Sequence, residues 1–197
     1  MASKVKVACA PVPRPDALSL PGAMGENGFR IATNKEAYLM NAQASVSTAD
    51  LPQDSLLHRH VADGDFLDCY RVRSSMKARP AAEIIVAFPG WAQLLLRLRR
   101  LVTAPFGLSN DGPIASDKLG IFPVETDTGD EVVAGFNDKH LNFRVSVLAR
   151  DGFVHCATWV HPHNIGGRIY LATILPFHIL IVRDSLRRVV KSELVAG

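Results

Sequence analysis

Four strand-length segments in close succession constrain the fold of this chain more than any other feature of the sequence. Only short turns separate them, at residues 128–130, at Asn137-Asp138 and at Asp151-Gly152. Links this short join strands that lie next to each other in a sheet and run antiparallel. The sequence therefore predicts an antiparallel meander of four strands, over residues 120–125, 131–136, 141–150 and 153–161.

A segment of fourteen mostly apolar residues, 169–182, follows the meander between Arg168 and Arg183. A membrane-spanning helix needs about 20 such residues, so we expect a buried core helix and no integral membrane segment. Asn164 is a suitable N-cap for this helix, which we predict over residues 165–191.

Pro176 lies deep inside the predicted C-terminal helix. A proline lacks the N–H that would bond to the carbonyl of Ala172, and its ring crowds that carbonyl. We therefore expect the helix to bend at Pro176, with the hydroxyl of Thr173 partly satisfying the freed backbone group.

The part of the chain before the meander contains one further strand and two helical segments. Residues 66–72 form an aromatic and β-branched run typical of a strand, and residues 81–88 have a helical pattern. Strands followed by a long helix predict an α+β fold in which a curved antiparallel sheet grips the helix. The second helical segment carries apolar residues at three-and-four spacing: Trp91, Leu94, Leu95, Leu98, Leu101 and Val102.

The domain organisation is simple. Residues 1–48 are rich in Pro, Ala, Ser, Gly and Asn and have no sustained period, so we expect a flexible N-terminal arm. The remaining residues, 49–197, are enough for one α+β domain with a sizeable core.

Composition excludes several classes of function. A formal net charge of +3 is too small to indicate a nucleic-acid surface. Three widely spaced cysteines, Cys9, Cys69 and Cys156, fit neither a disulfide framework nor a zinc cluster. Together with the lack of an export signal, this usage favours a cytoplasmic protein. No glycine-rich nucleotide fingerprint occurs, and we expect no cofactor.

Several ordered segments carry a resemblance to a known family. They are residues 68–72, 89–91, 120–124, 138–147 and 163–178. Over about residues 50–190 the chain resembles the bacterial family called domain of unknown function 2867. The resemblance implies a helix-grip fold that encloses an apolar or amphipathic small molecule between sheet and helix. Some members are fused to an epimerase-like nucleotide-binding domain, which implies a separate oxidoreductase as a possible partner.

The strand over residues 141–150 offers a candidate catalytic pair. His140, Asn142 and Arg144 share one strand face, because alternate side chains point the same way. A titratable histidine beside a guanidinium suits a general acid or base acting on an anionic substrate. The alternative is a solvated face on which Asp138 forms a salt bridge with Arg144.

Under the ligand-binding hypothesis, a further set of side chains is expected to line the cavity. For His178 the alternative is a satisfied core histidine, and for Arg168 it is an ion pair with Asp68. For the two tryptophans the alternative is ordinary core packing. The predicted lining residues are Tyr70, Trp91, Phe143, Arg144, Trp159, Arg168, Tyr170 and His178.

Two His-x-His pairs raise the question of a metal site. His58 with His60, and His161 with His163, have no Cys or third ligand at a suitable spacing, so we predict no metal. The last helix also ends in a group of basic residues, which favour the negative end of the helix dipole or attract anionic lipid or an acidic partner. These residues are Arg183, Arg187, Arg188 and Lys191.

Overall fold

The computed structural model describes residues 45–87, Gly90 and residues 115–196. Within them, one antiparallel sheet of seven strands has the order β1-β2-β7-β6-β5-β4-β3. The strands are β1 Ser47–Thr48, β2 Phe66–Arg73, β3 Lys118–Leu119, β4 Phe122–Asp127, β5 Glu131–Asn137, β6 Leu141–Arg150 and β7 Phe153–Pro162. The helices are a 3₁₀ helix at Leu56–Arg59, α1 at Ala78–Val86 and the C-terminal α2 at Ile165–Ala196. The predicted α+β fold class is confirmed.

The meander lies where the turn residues place it. Strand β6 has the predicted bounds, and β4, β5 and β7 differ from the predictions by one or two residues. Strand β1 pairs with β2 through Ser47 and Thr48, so the sheet begins just before the domain boundary expected at residue 49. The second predicted helical segment, residues 91–102, lies outside the described residues, as does most of the N-terminal arm. The closer comparison with helix-grip folds stays a prediction.

The helix-covered face of the sheet carries the larger core. Strands β2 and β7 place Tyr70 opposite Cys156 and Val72 opposite Val154, and β6 places Val147 opposite Cys156. Since laterally paired residues point to the same side of a sheet, all of these side chains face α1 and α2. They pack against fully buried helix residues, including Ala78, Ala81, Leu186 and Val189.

The opposite face carries a smaller core under residues 49–65, which we call the strap. Leu57 in the 3₁₀ helix is fully buried against Cys69, Ala157 and Trp159 on this face. Ser55 caps the 3₁₀ helix, since its hydroxyl accepts from the N–H of Leu57 at 3.3 Å. Both faces of the central strands are therefore covered.

Helix α2 is buried only in its second half. From Val182 onward its inner side is core, whereas Ile169, Phe177 and Leu180 are exposed to 63%, 46% and 58%. The prediction that residues 169–182 form a buried core helix is therefore wrong, because the sheet and α1 cover this helix mainly beyond that segment. By length and composition alone, the part of α2 over Ile165–Val195 could cross a membrane.

Helix α2 runs through Pro176 without a break in its helical assignment. The hydroxyl of Thr173 donates to the carbonyl of Ile169 at 2.8 Å, not to Ala172, so the predicted compensation by Thr173 is wrong. A Thr side chain in a helix reaches the carbonyl four residues back more easily than one beside it. The bend at Pro176 stays a prediction.

Candidate functional site

Helix α2 is held close to the sheet edge at its first turn. The side-chain oxygen of Asn164 accepts from the N–H of Gly167 at 2.9 Å, which confirms the predicted N-cap. A Cβ added to the buried Gly167 would lie 2.3 Å from the backbone oxygen of His140. Only glycine permits this approach of the helix to the β5–β6 turn.

Between this first contact and Val182, the helix is packed less tightly. Tyr170, Ile174, His178 and Ile181 are half-buried, while the next inner residues of the helix, from Val182, are almost fully buried. The helix therefore touches the sheet closely near both ends of this stretch and more loosely along it. This stretch and the sheet face beneath it form what we call the interlayer region.

A polar pair lies in the interlayer region. The ring Nε2 of His178 lies 3.0 Å from Oδ2 of Asp68 on β2, and both side chains are mostly buried, at 21% and 16% exposure. The ring of Phe66 meets His178 edge to face at 6.2 Å. Arg168 is exposed, so the ion pair expected between Arg168 and Asp68 is not formed. The partner of Asp68 comes from two and a half turns further along the helix.

The second carboxylate oxygen of Asp68, Oδ1, is buried and has no hydrogen-bond partner among the described residues. A buried carboxylate oxygen without a donor is unfavourable by about 1–3 kcal/mol. Such an atom is either a source of strain or a group that meets something the protein itself does not supply.

Tyr70 lies beside this pair on β2. Burial raises the pKa of its phenol, and the nearby charge of Asp68 raises it further. The guanidinium of Arg183 lies over the Tyr70 ring at 5.6 Å from its centroid. Of the predicted lining residues, Tyr70 and His178 therefore lie together between the sheet and α2.

Aromatic side chains continue the interlayer region across the sheet. Phe143 meets Phe136 at 4.7 Å and Phe122 at 5.4 Å between ring centroids, both edge to face. All three are half-buried and share the helix-facing side of β4, β5 and β6. Edge-to-face contacts of this kind stabilise aromatic groups. Phe143 is thus placed on the expected side of the sheet.

Arg144 and Trp159, by contrast, lie on the strap side. They are lateral partners in β6 and β7 and are buried to 6% and 5% exposure. They do not line the interlayer region. The remaining predicted lining residues are Tyr170, half-buried on α2, and Trp91, which lies outside the described residues.

Arg144 forms its ion pair with Glu125, at 2.6 Å, and not with Asp138 as expected. Its side chain crosses β5 at Gly135, where an added Cβ would lie 2.7 Å from the Cδ of Arg144. The side chain of Asp138 instead accepts from the N–H of Lys139 at 2.6 Å. Long-range pairing wins because glycine opens a path across one strand to an acidic residue on the next.

The candidate catalytic pair is held by separate partners. Nδ1 of His140 lies 3.4 Å from the side-chain nitrogen of Asn164 at the start of α2, while Arg144 is bound to Glu125 on β4. No hydrogen bond or ion pair joins His140 to Arg144 in the described part of the chain. A catalytic role for the two residues stays a prediction.

The strap side holds two carboxylates that the sequence did not single out. Asp65 accepts from the indole N–H of Trp159 at 2.7 Å and lies 2.6 Å from Nδ1 of His161. These hydrogen bonds outweigh burial and lower the pKa of Asp65. Glu131, only 3% exposed, accepts from three donors in the strap and β6.

No cluster of three or more potential metal ligands occurs among the residues the structure describes. Burial raises the pKa of the Cys69 thiol to about 12 and also raises that of Cys156. Such thiols stay protonated near neutral pH and behave as small apolar side chains, as expected.

The fold and the interlayer region define a class: an α+β protein in which one long helix lies across an open antiparallel sheet. The chain belongs to the family described as "Protein of unknown function (DUF2867)", which matches residues 60–185. The resemblance expected from the sequence is thereby confirmed. Neither the curated proteins nor the solved structures contain a match to the chain.

Proposed function

We propose that this protein binds an apolar or amphipathic small molecule in the interlayer region, between the sheet and the first half of α2. The observation that carries the proposal is the change in packing along one helix. Inner residues from Val182 onward are buried like an ordinary core, whereas Ile174, His178 and Ile181 are only half-buried over the same sheet. Small-molecule sites combine such loosely filled apolar surface with a few polar groups.

The chemistry of the surrounding side chains supports the same proposal. Three phenylalanines supply apolar surface on the sheet, and Asp68 with His178 supplies a single polar pair. Recognition of a ligand requires few polar groups when apolar contact supplies most of the affinity. The expected alternatives, an enzyme using His140 and Arg144 or a partner of a nucleotide-binding oxidoreductase in the cytoplasm, stay predictions.

The proposal is tested with the neutral fluorescent probe N-phenyl-1-naphthylamine, which gains emission in apolar surroundings. We expect saturable binding of about one probe per chain. Replacing the half-buried Ile174 by Trp places a larger side chain in the interlayer region and should weaken probe binding at least tenfold. The matched control is Ile169→Trp, on the same helix at a position that is 63% exposed.

Two results would refute the proposed function. One is a fluorescence titration of the wild-type protein without saturation. The other is equal probe affinity in the Ile174→Trp and Ile169→Trp variants while both remain folded by circular dichroism. Equal affinity would place the probe elsewhere on the molecule.

A further inference from the structure

We infer that the head group of the bound molecule is a hydrogen-bond donor, a hydroxyl or an amine, that binds Oδ1 of Asp68. This inference rests on the proposed function and names the class of ligand: an apolar molecule with a donating head group. The carrying observation is a buried carboxylate with one oxygen held by His178 and the other without a partner in the described residues.

An acceptor is what the interlayer region offers to a ligand at this point. Oδ2 of Asp68 lies 3.0 Å from the ring nitrogen of His178, so that oxygen already has its partner. A carboxylate has no proton to donate, and Oδ1 can therefore only accept. A ligand hydroxyl or amine satisfies this atom, whereas an ester offers only further acceptors.

The neighbouring charges set the same preference. A fatty carboxylate placed against Asp68 would set two like charges in partly desolvated surroundings, which is unfavourable. The nearest described cation on the helix beyond His178 is Arg183, and its guanidinium is stacked on the Tyr70 ring at 5.6 Å. The guanidinium is thus engaged with Tyr70 on the other flank of the region.

The apolar body of the ligand would extend from Asp68 along the helix-facing side of the sheet. Phe66 adjoins the polar pair, and Val160 is the lateral partner of Phe66 on β7. Val160 is in turn paired with Phe143 on β6, the central member of the phenylalanine cluster. An apolar surface therefore leads away from the donor position across three strands.

Four compounds with the same twelve-carbon chain test the inference by competition with N-phenyl-1-naphthylamine: dodecanol, dodecylamine, methyl dodecanoate and dodecanoate, each below its micelle concentration. We expect dodecanol or dodecylamine to displace the probe at concentrations at least tenfold lower than the ester and the carboxylate. The difference between the first two shows which donor is preferred.

The variant Asp68→Asn reports on the atom itself. An amide at this position can donate, so we expect the preference to shift at least tenfold toward dodecanoate without loss of probe binding. The matched control is Asp184→Asn, an acidic residue on α2 that is 39% exposed and paired with Arg188. That variant should keep the wild-type order of the four compounds.

The outcomes separate the inference from the proposed function. If the probe binds and responds to Ile174→Trp, yet all four compounds compete alike or dodecanoate competes best, the head-group inference is overturned and the binding site stands. If the wild-type protein does not bind the probe at all, both fail. The comparison on the wild-type protein decides the question even where Asp68→Asn does not fold.

Discussion

Replacing Glu131 by Ala removes the acceptor that ties the strap to the sheet. Its carboxylate accepts from Ser55 Oγ at 2.7 Å, from the N–H of Leu56 at 2.8 Å and from Ser146 Oγ at 2.5 Å. Both hydroxyls are buried, at 4% and 2% residue exposure. Each donor left without an acceptor lowers stability by about 1–3 kcal/mol, and release of the buried charge offsets part of the sum.

We therefore expect Glu131→Ala to lower the free energy of unfolding by about 3 kcal/mol. For a chain of this size that corresponds to a fall of about 6–12 °C in Tm. Urea unfolding followed by circular dichroism measures the stability, and amide hydrogen exchange locates the change. Exchange should accelerate first in the strap, because Ser55 and Leu56 lose their anchor on β5.

Two controls make the result specific. Glu83→Ala removes a carboxylate that is 61% exposed on α1, and its effect should stay within about 0.5 kcal/mol. The double variant with Ser146→Ala should lose less than the sum of the single changes, since the two residues share one hydrogen bond. A loss below about 1 kcal/mol for Glu131→Ala, or unchanged exchange in the strap, would refute the reasoning.

Three further predictions follow from single residues. Gly135→Ala should destabilise the protein by about 3 kcal/mol in urea unfolding, because its Cβ would lie 2.2 Å from the backbone oxygen of Phe143; a loss below about 1 kcal/mol would contradict this. Pro176→Ala should raise Tm yet weaken probe binding by misaligning His178, as a residue with an N–H restores the helical hydrogen bond; equal shifts in both measurements would contradict it. Burial lowers the pKa of His155, so the folded state binds fewer protons there and His155 makes stability fall as pH drops below about 6.5. Urea unfolding at pH 7.5 and 5.0 should show that fall diminished in His155→Leu, and an unchanged pH dependence would argue against the assignment.

The sequence predicts what is local in this fold. The meander follows from turn residues a few positions apart, and the N-cap at Asn164 follows from the residue type next to a helical pattern. Strand β1 is only two residues long and has no period to detect. Its position is set by pairing with β2, which no local pattern encodes.

Contacts between distant residues account for what the sequence did not predict. Glu131 and Ser55 are 76 positions apart, and Asp65 and Trp159 are 94 apart, so neither pair leaves a spacing signal. The partner of Arg144 had one detectable sign. Gly135 interrupts an otherwise apolar strand, and a glycine inside a strand often marks a close approach by another group.

The place of β2 in the sheet has a consequence for synthesis of the chain. Its final partner is β7, and even the nearest paired residues, Arg73 and Phe153, are 80 positions apart. At about 5–20 residues per second, a ribosome needs on the order of 4–16 s to make that intervening stretch. During this interval the buried residues Cys69, Tyr70 and Val72 have only the two-residue β1 as a neighbouring strand. The nascent chain therefore carries an unpaired apolar strand on the ribosome, the kind of segment that chaperones bind.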